Sequence, residues 1–352
     1  MSIKLLVREN IRELKPYTSA RDIYTSGILL DANENPRSIL EKNYPGISRY
    51  PDPHHRNLRE KLAAYHGISP AQILAGNGSD ELLDLCIRVF CAPGKESALI
   101  IEPTYGMYKT LCEINDIRVI ICVPEEIYEP DMKQAAEAIE KNTKIAFICN
   151  PNNPTGGLIS PGFIEGLLKR PGMMVVCDEA YIDFAPKGSA LPLLAKYNNL
   201  IILRTFSKAW GLAGIRCGYI IAHPEVIHYL EAVKYPYNVN RITLSLAERA
   251  LDNLNMKEEL ITSLISERER ITAFLKELKG VERVFHSDAN FILFRSPHSG
   301  YIFNRLAEKG IIIRDRSSQP GLSGCLRVSI GLPAENDKFM NIVKEVLNET
   351  AD

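Results

Sequence analysis

Residues 144–181 read KIAFIC, NPNNPTGGLIS, PGFIEGLLK, RPG, MMVVC, DEAY. The apolar runs Lys144–Cys149 and Met173–Cys177 are strand-length and bounded by turn residues. Pro161–Lys169 between them reads as a helix. Strand, helix, strand in that order predicts parallel strands with a helix packed over them. The same alternation runs from about Ile68 to Ala222, with further strands predicted at Ser97–Ile101, Arg118–Val123, Leu200–Leu203 and Gly218–Ala222 and a helix at Met132–Lys141. The fold class expected is α/β, a large domain with a mostly parallel central sheet covered by helices.

Beyond it, Ile242–Leu278 contains no Pro and no Gly and reads as one long helix. Three more strands are expected at Asn290–Phe294, Ile311–Arg314 and Leu326–Ile330, with helices at Tyr301–Lys309 and about Glu335–Leu347. This predicts a second, smaller α/β domain. The division expected is residues 1–45 as an N-terminal segment packing with the small domain, 46–240 as the large domain, 241–280 as a connecting helix and 281–352 as the small domain.

The chain has 352 residues, enough for about two domains. Its 42 basic and 43 acidic residues nearly cancel, which steers away from nucleic acid and anionic membranes. The opening MSIKLLVREN lacks the apolar core of a signal peptide, and no apolar run approaches a membrane span, so a cytoplasmic protein is expected. Eight cysteines show no CxxC pair and seven histidines no HExxH spacing, so reduced, buried thiols and no metal are expected.

Open α/β sheets bind ligands beyond the carboxyl ends of their strands. After the first quoted strand, a turn rich in Pro and Gly can aim the Asn153 amide into the crevice. After the second stands Asp178, costly to bury unless it meets a cation. After Leu200–Leu203 comes RTFSKAWGLAGIR, residues 204–216, where Lys208 is placed to act as a Schiff-base nucleophile. The turn Gly76-Asn77-Gly78-Ser79-Asp80 precedes an apolar helix and exposes N–H groups that suit a phosphate; the acids beside it call for Arg216 as well. One ligand answers all four sites: a phosphate, a cationic ring nitrogen, a ring oxygen and an aldehyde, which is pyridoxal phosphate.

NPNNPTG, DEAY and SK followed by GIR, in this order and spacing, resemble the fold-type I aminotransferases over nearly the whole chain. The resemblance implies that Lys208 holds the cofactor and moves the proton. It implies that Asp178 pairs with the pyridinium nitrogen, and that Asn153 and Tyr181 bond the ring oxygen. Ser79, Asp80, Ser207 and Arg216 would hold the phosphate, and Tyr105 would stack on the ring. Tyr50, in RYPDP, resembles the tyrosine that reaches the cofactor phosphate across a homodimer interface. GIIIRDR at 310–316, GLSGCLRVSIG at 321–331, LKPY at 14–17 and LDANENP at 30–36 resemble the histidinol-phosphate aminotransferase branch. That branch implies Tyr17, Arg314 and Arg327 at the substrate, with L-histidinol phosphate, 2-oxoglutarate and glutamate as substrates. A carboxylate suits one bidentate arginine; a phosphate monoester, with nearly two charges, suits a second. The alternatives are an aminotransferase for aromatic amino acids, a decarboxylase of an amino-acid phosphate such as threonine phosphate, and a binding protein on an inactive scaffold.

Overall fold

A computed structural model describes residues 2–24, 26–125 and 130–349. Its larger sheet contains β1 (Ile73–Gly76), β2 (Ser97–Ile101), β3 (Arg118–Cys122), β4 (Thr143–Cys149), β5 (Met174–Asp178), β6 (Leu200–Thr205) and β7 (Gly218–Ala222) in the order β1-β7-β6-β5-β4-β2-β3. The run from β6 to β3 is parallel; β7 and β1 join antiparallel at one edge.

Side chains alternate across a strand, so a sheet buried on both faces needs apolar residues at every position. Ile145, Phe147, Met174, Val176, Ile201 and Leu203 enter one core with helices Gly78–Phe90 and Pro224–Val233. Ala146, Ile148, Val175, Cys177, Leu200 and Ile202 enter the other with helices Arg56–His66, Pro161–Leu168 and Arg241–Leu251. All eight cysteines are buried and free, and burial pushes their thiol pKa values upward, in Cys112 and Cys217 to about 12.

The smaller sheet contains β8 (Arg283–Val284), β9 (Phe291–Arg295), β10 (Arg314–Asp315) and β11 (Cys325–Ser329), in the order β10-β11-β9-β8 and antiparallel throughout. Helices Leu254–Glu277, Ser299–Glu308 and Pro333–Asn348 pack on it.

Three expectations change. The long helix is two, Arg241–Leu251 and Leu254–Glu277. The break falls where Asn253 turns its side-chain amide onto the carbonyl of Arg249, competing with the helical ladder. The strand expected at Ile311–Arg314 is only Arg314–Asp315, because Ile313 packs into the small domain's core before the ladder begins, and the four-residue β1 is not among the expected strands. The N-terminal segment was expected on the small domain, but Ile3, Leu6, Val7 and Ile11 lie in the core of the large sheet, and the Arg8 N–H donates to the carbonyl of Val89. These apolar positions bury a stripe that the helices of the large domain leave open.

Phe147 is fully buried and stacks on Tyr108 with ring centroids 5.2 Å apart. Phe147→Ala should lower the unfolding free energy by about 3–5 kcal/mol, read from urea unfolding followed by circular dichroism.

Candidate active site

The carboxyl ends of β4, β5 and β6 and the N-terminus of helix Gly78–Phe90 surround a cavity of about 430 Å³. Ser79, Asp80, Tyr105, Asn153, Asp178, Tyr181, Ser207, Lys208, Arg216, Arg314 and Arg327 all line it. Segments far apart in sequence meet because parallel strands open their loops at one edge.

Asp178, the last residue of β5, is buried. The Tyr108 hydroxyl donates to Oδ2 at 2.7 Å and the Ala180 N–H to Oδ1 at 3.1 Å. Burial raises its pKa to about 6, and these two bonds reduce the rise without cancelling it. A carboxylate so placed requires a cation at its free face.

Lys208 points toward the same space, its Nζ 5.3 Å from the Tyr181 ring centroid. Burial, reinforced by the charge of Arg327, lowers its pKa. An amine pushed toward neutrality is a nucleophile and a base.

Asn153 donates from Nδ2 to the Tyr181 hydroxyl at 3.5 Å and accepts from Arg327 Nη1 at Oδ1. The Tyr105 hydroxyl donates to Asp80 at 3.1 Å, and its ring meets Tyr108 edge-on.

Arg216 takes a left-handed conformation, φ 52°, and lies 3.5 Å from Asp80. Its guanidinium reaches the helix N-terminus because nothing larger than glycine stands at Gly78, where a Cβ would come within 2.7 Å of Nη2. Gly218 lets β7 approach as closely: a Cβ there would lie 2.8 Å from the Ser79 nitrogen. Helix N–H groups, Ser207 and a guanidinium make an anion cradle. With the bare carboxylate of Asp178 and the amine of Lys208, the donor set fits a ligand with a phosphate, a cationic ring and a carbonyl.

Two expected residues do not line this cavity. Tyr17 is 77% exposed, on a stretch between Arg12 and Ala20 that forms no helix or strand. That stretch is tethered elsewhere: His54 bonds Asp22 at 2.6 Å, and Asp22 accepts from the Ser19 N–H. The hydroxyl expected at the substrate is therefore not delivered within one chain. Tyr50 stacks on Tyr237 with centroids 4.4 Å apart and is half exposed.

Sequence reasoning misses several others. Tyr108 looks like any aromatic on an apolar helix face. Arg316 and Gln319 line the cavity as well, and in the sequence Arg316 reads only as a neighbour of Arg314. Arg204 and Glu179 form a buried ion pair, 2.7 Å between Nη2 and Oε2, that ties the end of β6 to the loop after β5. The available signal is an arginine in an otherwise apolar strand, which has to meet an acid.

The model for class I and II aminotransferases matches residues 25–343. The chain belongs to that family. A histidinol-phosphate aminotransferase of Christiangramia forsetii is 44% identical, over 99% of both chains. The crystal structure of the histidinol-phosphate aminotransferase from Clostridium acetobutylicum aligns with a TM-score of 0.80 at 29% identity, covering 86% of this chain and 92% of that one. The enzyme of that name from Sinorhizobium meliloti, solved in complex with pyridoxal-5'-phosphate, gives 0.80 at 25% identity, covering 88% and 86%. The architecture is also shared with an enzyme of another activity, the L-threonine-O-3-phosphate decarboxylase from Porphyromonas gingivalis, at a TM-score of 0.74 and 25% identity, covering 88% of this chain and 94% of that one.

The state of Asp178 has a measurable consequence. A carboxyl that titrates near 6 when folded, against an ordinary value of 3.8, holds its proton longer than in the unfolded chain. Stability therefore falls as pH rises from about 4 to 6, and the deficit persists at neutrality. Asp178→Asn should make the cofactor-free protein more stable at pH 7 by on the order of 3 kcal/mol, with the gain vanishing below about pH 4. Chemical unfolding at both pH values reads it; equal stability at pH 7 would mean that the carboxylate is already compensated.

Proposed function

We propose that this chain is a pyridoxal-phosphate-dependent transaminase of histidine biosynthesis. It exchanges the amino group between L-histidinol phosphate and 2-oxoglutarate, giving imidazole acetol phosphate and L-glutamate. The observation that carries the reading is the cavity wall contributed by the small domain. Arg314 and Arg327 face the cavity from opposed positions of one antiparallel ladder, and neither forms an ion pair among the described residues. Cations left bare beside a nucleophilic lysine call for an anionic substrate. The end-to-end likeness to histidinol-phosphate aminotransferases supports phosphate as that anion.

When bound, pyridoxal phosphate supplies an electron sink for the pair left on the substrate's α-carbon. The chain does the rest. Asp178 keeps a proton on the ring nitrogen, and the burial that makes its bare charge costly makes that pairing strong. Lys208 Nζ would hold the cofactor until the substrate amine displaces it and, as a freed amine, would receive the α-carbon proton, its basicity tuned by burial and Arg327. The Tyr181 hydroxyl and the Asn153 amide would hold the ring oxygen, Tyr105 would cover the ring, and Ser79, Asp80, Ser207 and Arg216 would hold the cofactor phosphate. Arg314 and Arg327 bind the anionic end of the substrate and orient its α-carbon toward Lys208.

The working unit is a homodimer in the cytoplasm with sites shared between subunits. Ile28, Leu30 and Ile39 are 84–100% exposed on the segment that also carries Tyr17 and Tyr50. Apolar side chains of this size, so exposed and so grouped, mark an interface. Among the described residues no helix is long and apolar enough to cross a membrane.

The decisive test is a half-reaction. Holoenzyme mixed with L-histidinol phosphate and no acceptor should convert its cofactor to the pyridoxamine form, followed by absorbance, and release imidazole acetol phosphate. A response to phenylalanine or tyrosine instead would make it an aromatic aminotransferase; carbon dioxide released from threonine phosphate would make it a decarboxylase. Lys208→Ala should slow the half-reaction by at least about 10²-fold. Co-expressing Lys208→Ala with Tyr50→Ala chains should restore activity that neither has alone, if the sites are shared.

A further inference from the structure

The small-domain wall holds one more cation than the two carboxylates of 2-oxoglutarate need. Arg314 stands opposite Arg327 in the β10–β11 register, and the ladder runs one bond further, from the Arg316 N–H to the carbonyl of Cys325 at 2.9 Å. Opposed residues share a face of the sheet, as do residues two apart on a strand. Arg314, Arg316 and Arg327 therefore project from one face, and all three line the cavity. Asp315 falls on the other face, accepts from the Ser317 N–H at 2.8 Å, and does not line the cavity. None of the three arginines has a carboxylate partner among the described residues. Like charges opposed on a ladder repel unless an anion stands between them.

The three are not equivalent. Arg327 is committed to the reacting end: it donates to Asn153, lies 5.1 Å over the Phe291 ring, and its charge is felt by Lys208. Arg316, like Arg327, has a buried Nε with no partner, but unlike Arg327 it makes no side-chain bond to Asn153. Burial, and then the charge of a neighbouring arginine, lower the pKa of both Arg316 and Arg327. The Arg316 turn is pinned across the cavity rim. The Gln319 N–H donates to the carbonyl of Arg316 at 3.0 Å, and Gln319 Nε2 donates to the carbonyl of Thr104 at 3.3 Å, on the large domain. Gln319 Oε1 is buried without a partner too.

We propose that Arg316 is the residue by which this site distinguishes a phosphate monoester from a carboxylate. The inference rests on the substrate reading above. Each of the two carboxylates of 2-oxoglutarate presents one charge and two oxygens, which one forked guanidinium satisfies, so Arg327 and Arg314 suffice for that substrate. A phosphate monoester concentrates about 1.5 to 2 charges on three terminal oxygens. Arg327 and Arg314 serve either substrate, while Arg316 engages the oxygens that only phosphate has. Gln319 is a positioning residue that holds the Arg316 turn at the rim.

The test compares Arg316→Gln with the parent holoenzyme in the two half-reactions. KM for L-histidinol phosphate should rise about 10- to 100-fold, the loss expected for one charge-assisted hydrogen bond. KM for 2-oxoglutarate should change less than about threefold. Arg316→Lys, which keeps the charge and loses the fork, should fall between. Cofactor content and unfolding temperature serve as controls for folding. Equal changes for both substrates, or none for either, would overturn the proposal. Calorimetry with inorganic phosphate and with acetate on the same holoenzymes separates this from the substrate reading. If the parent ignores histidinol phosphate yet Arg316→Gln selectively loses inorganic phosphate, the substrate reading fails and the role of Arg316 stands. If both proteins bind phosphate alike, the role of Arg316 fails on its own.

Discussion

A carboxylate buried at the end of a parallel strand, hydrogen-bonded only by neutral donors and only weakly offset by the charge of Lys208, is the constraint on which this site depends. Asp178 accepts from Tyr108 and from the Ala180 N–H, and still titrates near 6. Folding alone does not supply the charge it needs. The sheet places it, the Tyr108–Phe147 stack fixes the hydroxyl that steadies it, and the cation has to come from outside. Under the proposed function, this interaction would be complete only with the cofactor bound. A stability cost in the empty protein becomes binding strength in the loaded one.

The surrounding loops are held by ion pairs that never touch a ligand. Glu179 is fully buried and accepts from Arg204, Ser189 and the Ala190 N–H, so the loop after β5 is fastened to the end of β6. Lys257, near the start of helix Leu254–Glu277, donates to Asp183 at 2.7 Å and to the Tyr65 hydroxyl at 2.6 Å, and lies 4.7 Å from the Trp210 ring centroid. One ammonium thereby joins the connecting helix to the loops carrying Tyr181 and Lys208. Removing one member of such a pair leaves a buried charge, which explains why these positions are charged at all.

Much of the site is legible in the sequence because its chemistry is local. NPNNPTG, DEAY and the Ser207-Lys208 pair each come directly after an apolar run, and parallel strands gather the loops at their carboxyl ends along one edge. Asp178, Asn153, Lys208 and Arg216 can therefore be picked out from residue order alone. The hidden part is relational. Tyr108 becomes part of the site only through the rotation of its helix. Arg316 matters because of a register that places it on the face of Arg327, and a short strand such as β10 does not declare its register in sequence. The N-terminal segment carries an apolar stripe whose destination nothing local specifies. The break before Asn253 is a contest between a side-chain amide and the helical ladder, which composition does not resolve. Tyr17 and Tyr50 mark the other limit: motif likeness picks them out, yet within one chain Tyr17 is exposed and Tyr50 stacks on Tyr237, both away from the cavity.

The eight cysteines, all inside and all with thiols pushed toward the unreactive neutral form, give the chain an unplanned property. Cys149 even borders the cavity, yet burial holds its thiol protonated. Reagents that attack thiolates meet no target while the sheet is closed. For the seven cysteines away from the cavity, alkylation is then a clock for opening of the fold rather than a map of surface chemistry. The same arrangement leaves Cys149, at the cavity wall, as the thiol nearest to an entry point in the folded protein.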